Sequence, residues 1–200
     1  MDNSEGSRYQ IRLARGEDIA ELVRMQRDLQ RSMARIGTNM LHLHRTGVAR
    51  LHEYYRAQIE DELVRLLVAQ DRLSEDVVGM GSGRIWSHPD YVPPCSGELI
   101  DLWVDPDHRR QKLAERMLTR LLTFFRANRI EFLAVNYVRG NPLAEILWTK
   151  FGFHPALVTA TAERRDIETA LGFSAQRIVP IEAHRAGAGR RVAAGIGLSG

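Results

Sequence analysis

At 200 residues, with 44% hydrophobic and 26% charged side chains, the chain is long enough for one domain with a sizeable core, and its composition excludes wholesale disorder and a fibrous repeat. No apolar run approaches the roughly 18 to 20 residues of a membrane span, and MDNSEGSRYQ has neither the basic start nor the apolar stretch of a secretory signal. The formal charge of +3 comes largely from the end of the chain, so the body is close to neutral and no nucleic-acid or membrane partner is expected.

In chain order, residues 1–8 read as a flexible lead and YQIRLAR, by its alternation, as a half-buried strand. Ile19, Leu22, Val23, Gln26, Leu29 and Met33 then fall at helical spacing behind the acids Glu17 and Asp18, which predicts a first helix ending near Gly37. The glycine-bounded GTNMLHLHRTG reads as a loop, and VARLHEYYRAQIEDEL as a second helix. RLLVAQD and VVGMGSGRIW read as strands. The three prolines of PDYVPPC fix φ and remove donors, which makes that stretch a connection, with Cys95 in it. GELIDLWV is the next strand.

A charged turn, DPDHRRQK, leads into a helix expected to begin near Arg109 or Arg110, with Leu113, Met117, Leu121 and Phe125 on one stripe and Ala114, Leu118 and Leu122 beside it. EFLAVNYV reads as a strand, NPLAEILWTKFGF as a helix and PALVTATA as a last strand. The glycine- and alanine-rich residues 183–200, with three arginines and no acid, read as a flexible basic tail behind one domain at 9–182. Three consecutive strands predict an antiparallel meander and the alternation after them predicts parallel crossovers, so the fold is expected to be α/β (α+β) with a mixed sheet. Cys95 is the only cysteine, which excludes a disulfide framework and a cysteine-rich zinc site and suggests the cytoplasm.

The turn before the third helix carries the chemistry. A helix N-terminus presents backbone N–H groups without intrahelical partners and a partial positive charge. Arg109, Arg110 and Lys112 crowd that end, where cations are unfavourable, so the turn is suited to an anion such as a diphosphate. A solvated basic face is the plain alternative.

Val104, Pro106, Arg109, Lys112 and Ala114 resemble the central motif of the GNAT-family N-acetyltransferases: a strand ending in Val-x-Pro, then Arg or Gln, two residues, Gly, one residue, and Gly or Ala. NPLAEILWTKFGF resembles the family's closing helix, and GELIDLWV its acidic strand. The likeness runs from about Ile11 to Ala162 and implies a sheet that is mostly antiparallel, splayed into a V-shaped cleft, with acetyl-CoA as the acetyl donor in the gap. It implies that the pantetheine arm pairs with backbone groups of Leu102, Trp103 and Val104, and that the pyrophosphate sits at Arg109, Arg110, Gln111, Lys112, Leu113 and Ala114. Asn141 matches a cofactor-contacting asparagine, although Pro142 after it also suits an N-cap.

Glu98, six residues before Val104, matches the family's catalytic glutamate, with a surface strand-edge glutamate as the plain alternative, and simple alternation puts it on one face with Ile100 and Leu102. The chain departs from the pattern at Lys112, where glycine is usual, and at Trp148, where a tyrosine usually stands near the cofactor sulfur. An indole cannot serve as the acid, so either the thiolate leaves without a protein acid, or a nearby tyrosine such as Tyr137 substitutes, or catalysis is lost.

Other residues carry less. His42 and His44, with His52 nearby, have no acidic or cysteine partner at ligand spacing, so no metal is expected. GMGSG lacks the lysine-serine ending of a phosphate loop, and nothing marks Cys95 as a nucleophile. The first two helices and the loops at 37–47 and around Tyr91 are expected to choose the acceptor. Their mixture of His42, His44, His52, Tyr54, Tyr55 and Arg56 suits a small polar amine and a peptide amine alike. The expectation is an acetyl-CoA-dependent N-acetyltransferase, with a homodimer left open. The alternative is a non-catalytic acyl-CoA-binding or partner-binding module, kept alive by Lys112 and Trp148.

Overall fold

The computed structural model of the chain describes residues 7–36, 45–157, 160 and 162–172. They belong to two units, Met1–Val158 and Thr159–Gly200, each taken by itself.

In the first unit the described strands are β1 (Tyr9–Leu13), β2 (Val64–Asp71), β3 (Val77–Ser87), β4 (Cys95–Val104) and β5 (Leu133–Val135). They form one sheet in the order β1-β2-β3-β4-β5. The first four pair antiparallel, whereas β5 lies parallel to β4. The helices are α1 (Ile19–Ala34) and α2 (Arg45–Glu60) between β1 and β2, α3 (Leu113–Ala127) in the β4–β5 crossover, and α4 (Pro142–Lys150) after β5. A mixed sheet is what the sequence pattern predicts, and its mostly antiparallel pairing is what the family resemblance implies. The connection after β3 is one residue shorter than PDYVPPC implies on its far side, because Cys95 already belongs to β4.

Each sheet face has its own core. Leu22, Val23 and Met25 of α1 and Tyr55 of α2 pack with Leu66, Val68, Met80 and Trp103 on one face. Leu113, Met117, Leu118, Leu121, Phe124 and Phe125 of α3, with Trp148 of α4, pack with Leu67, Ala69, Ile85 and Leu99 on the other. Leu122, expected on the flank of the α3 stripe, is half exposed, and Phe124 is buried instead.

Two expectations change. The predicted last strand over 155–162 is not a strand at its described residues, 155–157, 160 and 162, where Pro155 removes a ladder donor. The second unit contains instead a short helix, α5 (Arg164–Ala170), with Arg164 paired to Glu168 one turn on. The tail at 183–200 and the loop histidines His42 and His44 lie outside the described residues. Among the described residues no helix is long and apolar enough to cross a membrane.

α3 lies close to the sheet because β3 and β4 present glycines to it. A Cβ at Gly83 or Gly97 would stand 2.7 Å from the Phe125 ring, inside van der Waals contact. Gly97→Ala is therefore expected to push α3 from the sheet and cost about 1 to 3 kcal/mol, read as a lowered melting temperature.

Candidate active site

β4 contains one residue too many for its partner. Gly81 opposes Leu102 and Gly83 opposes Leu99, so Ile100 and Asp101 together face Ser82. This β-bulge reverses the alternation along β4. Below it, Gly97 and Leu99 face α3; above it, Leu102 and Val104 do. Asp101 and Trp103 face α1 and α2, and so does Glu98, which opposes Arg84. The sequence-based placement of Glu98 beside Leu102 is thus corrected: simple alternation fails across a bulge.

The bulge also marks where the sheet opens. β4 and β5 pair only from Gly97↔Leu133 to Leu99↔Val135. From Ile100 to Val104, β4 has β3 on one side and no strand partner on the other among the described residues. The backbone groups of Leu102, Trp103 and Val104 therefore lie along a free edge, a setting that accepts an extended amide-bearing chain. One group is engaged: Arg109 Nε donates to the Val104 carbonyl at 3.0 Å, with its guanidinium over the Trp103 ring. Arg109 thus clamps the strand end and does not project freely from the turn.

The turn itself is not the expected helix start at Arg109 or Arg110. A 3-10 turn at Pro106–His108 comes first, Arg109 is extended, and α3 begins at Leu113. Arg110 and Lys112 have φ of +62° and +57°. Lysine at position 112 therefore occupies left-handed backbone that glycine enters freely. With α3 beginning at Leu113, Lys112 is the residue before the helix and not inside it, as a start near Arg109 or Arg110 had implied. Lys112 supplies no side-chain cap, and the first intrahelical bond runs from the Arg116 N–H to the Lys112 carbonyl. The amides of Leu113 and Ala114 precede that bond, next to the exposed Gln111 and the exposed cations Arg110 and Lys112.

Across the fork, Asn141 caps α4: its Oδ1 accepts from the Ala144 N–H at 3.3 Å, with Pro142 at the first helical position. Its amide nitrogen is not used by the cap. Trp148 is buried against Phe153, with ring centroids 5.5 Å apart, in the α3-side core. Tyr137, half-buried, packs against the same cluster.

On the opposite face Glu98 is held at both oxygens. Trp86 Nε1 donates to Oε2 and Asn136 Nδ2 to Oε1, each at 2.6 Å. Neither partner was singled out by the sequence, since Trp86 comes from β3 and Asn136 from the segment after β5. Asp101, which sequence reasoning also passed over, is buried beside them. Ser82 Oγ accepts the Asp101 N–H at 3.2 Å and donates to Asp101 Oδ2 at 3.3 Å. Burial pushes the Asp101 carboxyl up to about 6 against the opposing hydrogen bonds of Ser82 and Gln26. Gln26 accepts from the Tyr55 hydroxyl at 3.2 Å. Gln58 Oε1 of α2 and Arg84 Nε of β3 are buried without hydrogen-bond partners among the described residues.

Elsewhere, an open depression of about 460 Å³ lies between α1, the β2–β3 turn and Asp105. Its arginines are already paired, Arg12 with Asp18 and Arg24 with Asp105, each at 2.7 Å. It is a solvated ion-pair surface, distinct from the fork. His52 is exposed on α2, and among the described residues no group of His, Cys, Asp or Glu is placed to hold a metal.

The model of the acetyltransferase (GNAT) family matches residues 31–153, which include the bulge, the fork and the turn. No curated protein matches the chain. Among solved structures, a predicted acetyltransferase from Clostridium acetobutylicum, crystallised with acetyl-CoA, superposes with a TM-score of 0.61 at 18% identity, over 79% of this chain and 97% of that one. A GCN5-related N-acetyltransferase from Ralstonia eutropha JMP134 gives 0.62 at 15% identity, over 78% and 98%. Glucosamine-6-phosphate N-acetyltransferase from Arabidopsis thaliana gives 0.54 at 13% identity, over 79% and 99%. These likenesses establish a shared fold.

Left-handed backbone costs a side-chain-bearing residue about 1 to 2 kcal/mol. Lys112→Gly is therefore expected to hold or raise the melting temperature, by up to about 1 kcal/mol after the added freedom of the unfolded chain. Lys112→Val, β-branched at the same φ, is expected to lower it, and thermal denaturation of the two variants side by side checks the assignment.

Proposed function

The chain belongs to the acetyltransferase (GNAT) family, and on that premise we propose that it transfers an acetyl group from acetyl-CoA to a primary amine. The observation that carries this reading is the fork, where β4 parts from β5 after Leu99 and leaves the edge of Leu102, Trp103 and Val104 without a strand partner among the described residues. In this reading that edge takes the pantetheine arm, and Arg110, Gln111, Lys112, Leu113 and Ala114 take the pyrophosphate. Asn141 adds an amide donor from the far wall. Acetyl-CoA supplies the acyl group as a thioester.

The acceptor enters on the other face of the sheet, where the bulge turns both Glu98 and Asp101 toward α1 and α2. Two carboxyl groups there favour a substrate that arrives as an ammonium ion, and the unpartnered Gln58 Oε1 and Arg84 Nε leave an acceptor and a donor for its polar groups. Tyr137 is the candidate for protonating the leaving thiolate, because it packs against the cluster that contains Trp148. The second reading, an acyl-CoA-binding module without catalysis, is favoured by Trp148 itself, a buried indole where the family has a phenol.

The test is incubation with acetyl-CoA and a panel of amines and peptides, with free thiol read over time. Acetyl-CoA alone is expected to raise the melting temperature by mass action and to bind less tightly as salt screens Arg110 and Lys112. No thermal shift at millimolar acetyl-CoA overturns both readings, and a shift without thiol release leaves the binding module.

Trp148→Tyr places a phenol on the closing helix. If leaving-group protonation limits the rate, this variant gains turnover and Trp148→Phe does not. If the indole only fills the core, both variants lose packing worth on the order of 1 to 3 kcal/mol, with no gain in rate. Turnover and melting temperature measured together decide between the two.

A further inference from the structure

We infer that Asp101, at the β4 bulge, takes the proton from the substrate ammonium, with Ser82 positioning its carboxyl group and Glu98 anchoring the ammonium beside it. The inference rests on the acetyl-transfer reading above and names the group that accepts the proton.

Place is the first argument. Asp101 lies two residues beyond Leu99, the last β4 residue paired to β5, and directly before the free edge at Leu102. It is therefore at the mouth of the fork and turned to the acceptor face. Glu98 lies one residue inside the paired stretch, with each oxygen already engaged by an N–H donor at 2.6 Å. Charge-assisted bonds that short fix a carboxylate as an electrostatic anchor. Asp101 keeps only the long 3.3 Å bond from Ser82 and the contact from Gln26.

Surroundings are the second argument. The groups facing Asp101 are Tyr54 and Tyr55 from α2, Ser82 from β3 and the neutral Gln26 from α1, and Tyr54 in turn faces Arg84 and Glu98. Arg84 is directed to Asp61 at 3.6 Å and to the Trp86 ring. Among the described residues no cation is paired with Asp101, and burial pushes its carboxyl up to about 6. A carboxylate that is buried and readily protonated is suited to accept a proton near neutral pH.

The step balances. The Asp101 carboxylate removes one proton from R–NH3+, which frees the nitrogen lone pair. The lone pair forms the C–N bond to the carbonyl carbon, and the C–S bond breaks with its electrons on sulfur. Tyr137 gives its proton to the thiolate and takes the second N–H proton in its place, the third remains on the amide, and Asp101 returns its proton to water.

The test is the pH dependence of kcat in the full chain, beside carbon-13 titration of labelled aspartate carboxyls without substrate. Wild type is expected to lose rate below pH about 6, and one aspartate is expected to titrate in that range. Asp101→Asn abolishes both features and lowers kcat by roughly 10² to 10⁴. Ser82→Ala removes a bond that holds the carboxyl down, so the limb and the titration move together to higher pH; this variant carries the test if Asp101→Asn lowers the melting temperature. Glu98→Gln is expected to raise KM and leave the limb in place. An unchanged limb in Asp101→Asn, its loss in Glu98→Gln, or a limb unmoved by Ser82→Ala overturns the inference and leaves acetyl transfer standing. Absence of transfer by wild type to every amine overturns both.

Discussion

The site depends on one extra residue. Because Ile100 and Asp101 share the place opposite Ser82, β4 changes which side chains it sends to each core, and the ladder to β5 ends at Leu99. An unpaired backbone N–H inside a sheet is costly, and Ser82 removes that cost by accepting the Asp101 N–H. The same hydroxyl donates to the Asp101 carboxyl, so the residue that makes the bulge tolerable also orients the acid. Without the bulge, Glu98 would face α3 with Leu102, and the proposed acceptor face would have lost a carboxyl group.

The free strand end is held by side chains because no strand neighbour holds it. Asp105 receives the Trp103 indole N–H at 2.8 Å and Arg24 of α1 at 2.7 Å, and Arg109 folds back onto Trp103 and the Val104 carbonyl. Arg24 also reaches Glu21 and Asp28, and its guanidinium is held firmly charged by Asp105 and Glu21. These contacts join α1, β4 and the turn before α3. The edge at Leu102 to Val104 thus has no strand partner on one side among the described residues and is still held in place by this network.

The turn stores strain. Arg110 and Lys112 both have positive φ, where side chains are disfavoured, and both are exposed cations at the start of α3. Conformation and charge are each unfavourable there in the isolated chain, and a bound diphosphate would answer the charge alone. That combination explains why the segment reads as an anion site with an awkward lysine.

Much of the fold was legible in the sequence because it rests on local periodicity. The α1 and α3 stripes, the meander of β2, β3 and β4, the α3 crossover and the Asn141-Pro142 helix start are all visible at spacings of two to four residues. The motif of Val104, Pro106, Arg109 and Ala114 likewise pointed to the family through neighbours in sequence. Tertiary structure decided the rest. The partners of Glu98 come from positions 86 and 136, and those of Asp101 from positions 26 and 82, so no local pattern announces them. The bulge escapes alternation for the same reason: it is a mismatch between two strands, and a single strand has no register until it is paired. Sequence therefore named the family, and only the pairing of β3 with β4 determined that Glu98 and Asp101 face α1 and α2.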